Sequence, residues 1–267
     1  MGAAFRDVWS RDGVTARVYY QSYGGVGVKT LLIDLQSRRR ILSTMHGMVN
    51  VRFICNNYAP PDLWCALHSQ GFRERYLDAL MSQLGVSPGD YACLGTGIDM
   101  DDLAVVSEEY RDVWVVAFTT AGVESNALRM GVDRASTYEV DGRFERLGTI
   151  NVILITNASL TDAAMARAVI TITEAKCAAL QDLGVTSSYS PQLIATGTGT
   201  DNVIVVPGSG VRITYTGGHA KIGELIGRVV YRSVIEAGIW HRGRMQGGNI
   251  WEGKESGSTQ YCWGWVI

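Results

Sequence analysis

The sequence predicts an α+β fold: a mixed β-sheet with three main helices, strand-rich in its first part and α/β-like in its later part. Three observations predict it. Short β-branched or alternating runs crowd the first sixty residues. Two continuous apolar runs, Val113–Phe118 and Ile150–Ile155, read as strands buried on both faces. Long stretches with helical periodicity separate or follow the later strands. At 267 residues, 46% apolar and 19% charged, the chain can bury a full core, and residues 1–267 are expected to form a single domain.

Taken in order, Val14–Tyr20, Val28–Leu35, Arg40–Thr44 and Val49–Cys55 read as strands. Gly24-Gly25 and the run Arg38-Arg39-Arg40, expected to be a solvated turn, punctuate them. Pro60-Pro61 ends the strands. A helix is expected over Asp62–Leu84, stopped by Gly85 and Pro88. After the two buried strands, Ser159 with Asp162 makes a capping signal for a helix over Leu160–Leu183, stopped by Gly184. Leu193–Ala195, Asn202–Val206 and Arg212–Tyr215 read as short strands. A last helix is expected over Ala220–Ala237. The tail from Trp240 reads as irregular structure packed onto the domain or onto a partner subunit.

The composition excludes several classes. A net charge of −2 offers no phosphate-tracking surface, so nucleic-acid binding is not expected. The charged start (Arg6, Asp7, Arg11, Asp12) does not read as a secretory signal, and no run approaches the length of a membrane helix, so no membrane partner is expected. Cys55, Cys65, Cys93, Cys177 and Cys262 form no CxxC pair. They read as reduced thiols of a cytoplasmic protein, with neither a disulfide framework nor a metal site.

Several features could carry chemistry. The run Thr196-Gly197-Thr198-Gly199-Thr200-Asp201 exposes backbone N–H groups that can cradle an anion or an oxyanion; equally, it can be a plain connection whose threonines cap backbone groups. His219 follows two glycines and precedes a helix, where a neutral imidazole could act as a base or merely cap. Lys176 falls inside the apolar stripe of its helix, so it must snorkel, meet a carboxylate or face a ligand, while Glu174 falls on the far side. Glu224 opens the last helix four residues before Arg228. Gly223 and Gly227 share one side of that helix and suit a close approach. Strand ends at Thr119–Gly122 and Thr156–Ser159 are places where α/β folds gather ligands.

Several segments resemble adenosylcobinamide amidohydrolase, the CbiZ family of corrinoid salvage. They are Thr120–Ala127, Gly148–Leu154 with Asn157, Thr173–Lys176, Ala195–Asp201 and Gly218-His219 leading to Gly223–Gly227. The resemblance is strong over residues 113–237 and weaker over 41–112. It divides the chain into 1–40 outside it, an amidohydrolase-like 41–238, and a Trp/Gly-rich tail, 239–267. Gly47 followed by Met48 departs from the paired glycines the family often shows.

The resemblance implies hydrolysis of the amide joining the aminopropanol arm of adenosylcobinamide to its corrin ring, giving adenosylcobyric acid in the cytoplasm. The cobalt-containing corrinoid is then the substrate, and no cofactor or metal is expected; a homo-oligomer is left open. On this reading His219, Asp201 and Glu224 are the candidate catalytic residues. Thr120, Asn126, Asn157, Lys176, Thr196, Gly197, Thr198, Gly199 and Thr200 are the candidate substrate-binding residues. The alternatives are a corrinoid- or nucleotide-binding protein without hydrolysis, and an amidase for an unrelated substrate.

Overall fold

The computed structural model describes residues 3–67, 71–124, 126–134 and 149–247. Alternation builds its first part. Strands β1 (Ala4–Arg11) and β2 (Val14–Tyr23) meet at Asp12-Gly13, both at positive φ, and Gly24-Gly25 closes the hairpin to β3 (Val26–Ser43) in the same way. Such turns match the right-handed twist of the strands. In β2, Val14, Ala16 and Val18 are buried and the residues between them are not.

β3 does not break at the arginines. Arg38–Arg40, expected to be a turn, lie within it, just past a register shift against β4 (Gly47–Tyr58) and Gln36 at φ 65°. The bulge bends the strand, so its first half pairs with β2 and its end pairs with the later strand at Asn202–Val206. The helix expected over Asp62–Leu84 is two helices, α1 (Pro61–Leu67) and α2 (Phe72–Gln83). Gly71, at φ 68°, resets the chain before α2.

Like β1, the strands β5 (Tyr91–Thr96), parallel to β4, and β6 (Ala104–Tyr110) were not expected, nor were the two-residue strands at Ala127–Leu128, Ser159–Leu160 and Gly197–Thr198. Then come β7 (Val113–Ala121), β8 (Ala127–Leu128), β9 (Ile150–Thr156), β10 (Ser159–Leu160) and α3 (Asp162–Asp182). Thr161, not Ser159, caps α3 by accepting from the Ala164 amide. β11 (Gly197–Thr198), β12 (Asn202–Val206), β13 (Arg212–Ile213) and α4 (Lys221–Gly247) complete the order. Leu193–Ala195 holds only an isolated bridge from Ile194 to Thr186. α4 runs past Ala237 into the tail expected to be irregular; the tail's residues 248–267 lie outside the described residues.

The main sheet runs β1-β2-β3-β12-β9-β7-β6, with β4 and β5 branching from β3. Helices α3 and α4 cover one face through Leu154, Ile172, Ile226 and Val230. The sheet curls on its other face, where Leu31, Ile54, Leu94, Phe118, Ile153 and Ile204 close a second core inside it. α2 seals a third cluster outside β4 and β5 through Tyr76 and Leu80. The architecture is therefore α+β, with four α-helices among the described residues. Among the described residues, no helix is long and apolar enough to cross a membrane. Cys55, Cys93 and Cys177 are free, and complete burial pushes the Cys55 thiol up; Cys65 is disulfide-bonded, which corrects the expectation of reduced thiols there.

This topology creates two rims. β9 and β12 are parallel, and β7 is antiparallel to β9. One rim thus gathers the amino ends of β9 and β12 with the carboxyl end of β7. The other gathers Asn157, residues 207–210 and the β10–β13 pair.

The two glycines of α4 separate close approach from mere helix cost. A Cβ on Gly223 would overlap the Gly217 carbonyl, whereas at Gly227 it would meet nothing. Gly223→Ala should therefore destabilise by about 1–3 kcal/mol. Gly227→Ala should stabilise by about 0.5–1 kcal/mol, the helix-propensity difference. Urea unfolding of the two variants checks the opposite signs.

Candidate functional site

The Gly-Thr run folds around a carboxylate. Thr198 pairs with Ala127 across the short β11–β8 ribbon, and the chain then doubles back on Asp201. Asp201 Oδ1 accepts from the Ile150 amide at 2.9 Å and from the Thr198 hydroxyl. Its Oδ2 accepts from the Thr198 amide at 3.1 Å and from the Lys176 ammonium. Lys176 thus meets a carboxylate, with 12% of its side chain exposed against 15% for Asp201, and Glu174 faces solvent.

The glycines serve this packing. A Cβ on Gly197 would strike Asp201 Oδ2 and Lys176 Nζ, and one on Gly199 would press on Asn126 Oδ1. The Thr198 amide, a candidate anion donor by sequence, is already bonded to Asp201. Thr196 accepts from the Met130 amide at 2.9 Å, and the Thr200 carbonyl accepts from the Thr149 hydroxyl at 2.6 Å.

Beside this pair, the same rim carries a buried amide network that the sequence reading missed. Asn56 Nδ2 donates to the Thr120 hydroxyl at 3.0 Å. Asn151 Nδ2 donates to Asn56 Oδ1 and to the Gly95 carbonyl, each at 2.9 Å. Asn56, Thr120 and Asn151 are all buried. A side-chain amide left unpaired there would cost about 1–3 kcal/mol, so the three positions specify one another. The available signal was a polar residue interrupting an apolar strand: Asn151 within Ile150–Ile155, and Asn56-Asn57 closing an apolar run.

The turn Thr44–His46 completes the rim. The Thr44 amide donates to Val203 O at 2.9 Å, and its hydroxyl donates to Asn202 Oδ1 at 2.9 Å. His46 Nε2 lies 3.1 Å from the Cys93 carbonyl. Among the described residues, no group of three His, Cys, Asp or Glu side chains is placed to hold a metal ion.

Three sequence candidates stand elsewhere. Asn157 lies at the opposite rim, accepting from the Trp114 amide at 3.0 Å and donating to Asp112 O at 2.7 Å. His219 follows β13, which runs beside β10 at that same opposite rim, and its exposed ring packs on Tyr215 at 4.8 Å. Glu224 pairs with Lys221 and Arg228, and the Lys221 ammonium holds its carboxyl below the usual range. Thr120–Asn126 and Thr196–Asp201 therefore share a rim, and Gly217–His219 does not join them. Asp201 precedes β12 whereas His219 comes after its far end, and the five residues of β12 span about 13 Å.

Residues 15–246 match the adenosylcobinamide amidohydrolase family, CbiZ. A protein of uncharacterised function from Methanocaldococcus jannaschii is 48% identical over 220 residues, covering 78% of this chain and 85% of that protein. An adenosylcobinamide amidohydrolase from Methanosarcina mazei is 32% identical over 158 residues, covering 55% of this chain and 66% of that protein. A crystal structure of a Pyrococcus horikoshii protein aligns with a TM-score of 0.42 at 12% identity, covering 85% of this chain and 82% of that one. The chain belongs to the adenosylcobinamide amidohydrolase family.

The Lys176–Asp201 pair makes a direct test of what holds this rim. Asp201→Asn places an amide NH₂ against the Thr198 amide or the Lys176 ammonium and should cost about 2–4 kcal/mol. Lys176→Met leaves Asp201 three donors and should cost less, about 1–2 kcal/mol. A double-mutant cycle by urea unfolding should show coupling above about 1 kcal/mol.

Proposed function

We propose that the chain hydrolyses the amide between the aminopropanol arm and the corrin ring of adenosylcobinamide, releasing adenosylcobyric acid and aminopropanol. The observation that carries this reading is the family match over residues 15–246, which spans the whole polar rim. A hydrolase feeding corrinoid assembly would act where that assembly proceeds, in the cytoplasm.

The rim suits such a substrate. A corrin ring is fringed by amide arms, and each arm offers both a donor and an acceptor. The Asn126 side chain carries the complementary pair, while Asn56, Asn151 and Thr120, buried and bonded to one another, fix the shape of the rim. Lys176 has three N–H donors and spends one on Asp201, so its ammonium can stabilise the oxyanion that forms as water adds to the carbonyl. Asp201 is different. All of its strong acceptor positions are engaged by Ile150, Thr198 and Lys176. We read it as the anchor of Lys176 and of the loop, and not as the base that activates water.

Incubation with adenosylcobinamide tests the proposal. The expected products are adenosylcobyric acid and free aminopropanol in equal amounts, resolved by chromatography. Tight binding, seen as a shift in corrin absorbance, with the amide left intact would instead show a corrinoid-binding protein.

A further inference from the structure

We propose that His46 is the proton-transfer group of this site. The inference rests on the amidohydrolase reading above and supplies the base that Asp201 cannot provide.

The geometry comes from the open edge of β5. β4 pairs with one edge of that strand. On the other, the Cys93 carbonyl meets His46 Nε2 at 3.1 Å and the Gly95 carbonyl meets Asn151 Nδ2 at 2.9 Å. Residues two apart on a strand direct their carbonyls to the same side, about 6.6 Å apart. The imidazole therefore stands one strand repeat from the Asn151 amide, at the rim that also holds Thr120 and Asn56.

The bond to Cys93 also sets the tautomer. A carbonyl can only accept, so Nε2 carries the proton. The neutral ring then keeps its lone pair on Nδ1, which has no partner among the described residues. The side chain is exposed, so water can reach it. The turn that carries it is pinned: the His46 and Met45 amides donate to Ser43 Oγ, each at 3.2 Å, and Thr44 is tied to Asn202 and Val203. The groups facing the turn are Arg73 of α2, whose guanidinium touches Met45 Sδ at 3.0 Å, the buried Cys93 of β5 and the neutral Asn202 of β12.

In the proposed step, Nδ1 takes a proton from water as the water oxygen bonds to the amide carbon and the carbonyl π pair moves onto oxygen. When that intermediate collapses, the C–N bond breaks and its electron pair goes to nitrogen. The nitrogen takes the proton back from Nδ1. The acid that forms loses its own proton to the released amine or to solvent, leaving a carboxylate and an ammonium. One water is consumed and no other reactant is needed.

The test uses full-length protein. His46→Gln keeps an N–H for the Cys93 carbonyl but has no titratable nitrogen. It should lower kcat on adenosylcobinamide by about 10²–10⁴-fold, while corrinoid binding stays within about three-fold. The acidic limb of the kcat–pH profile should disappear with it. His46→Ala should regain part of its activity in added imidazole, which a purely structural histidine would not allow. Cleavage by His46→Gln within about five-fold of wild type, with the acidic limb intact, overturns the assignment of His46 alone. A wild type that binds the corrinoid and leaves the amide whole overturns the function reading, and this assignment with it.

Discussion

The Asp201 carboxylate draws donors from three separate stretches of chain: Ile150 at the start of β9, Thr198 in β11, and Lys176 near the end of α3. Taking a carboxylate and an ammonium out of water costs several kcal/mol each, and only full coordination offsets it. The requirement propagates outward. α3 must present Lys176 on its inner face, so the apolar stripe tolerates one charge. The loop must pass close over the pair, so residues 197 and 199 must lack a Cβ. β12 must leave directly from the carboxylate, which sets its parallel register against β9, Asn202 opposite Asn151.

That register decides what stands beside the pair. Asn151 points to the face opposite α3 and α4, into the curl of the sheet, where it meets Asn56 and the open edge of β5. An unpaired strand edge must be covered, and here side chains cover it in place of a neighbouring strand. The same act closes the end of the inner core and sets polar groups in its mouth. Anchor and amide network thus occupy adjacent faces of one rim, joined through Thr149, whose hydroxyl donates to Thr200 O.

Much of the frame was legible because it rests on local chemistry. Gly24-Gly25 gave a break between strands, the apolar runs gave β7 and β9, and helical periodicity gave the inward Lys176 and the outward Glu174. What was missed rests on long-range or compensating effects. β6 is a strand although Glu108 and Glu109 interrupt its pattern, because β7 is one of the most apolar strands of the sheet and pairs with it along its whole length. The arginine run looked like a turn because charge suggests solvent. It is an exposed strand segment, its bend supplied by Gln36 in the left-handed region. The helix after Pro61 divides at Gly71, where periodicity alone continued through.

The two histidines show where local reading ends. His219 had every local cue, glycines before it and a helix after it, yet local cues cannot say which end of a parallel strand a loop occupies. The distinction came from Asp201 and His219 lying on either side of β12. His46 had no local cue at all, because its position depends on Thr44 meeting Val203 and on Cys93 offering a carbonyl 47 residues away. A catalytic imidazole needs a fixed tautomer and an accessible second nitrogen, and neither property is written in neighbouring residues. Both follow from the bulge that bends β3, carrying its hairpin turn to the start of β12 and over the edge of β5. The feature that made the arginine run misleading is therefore the feature that delivers His46 to the rim.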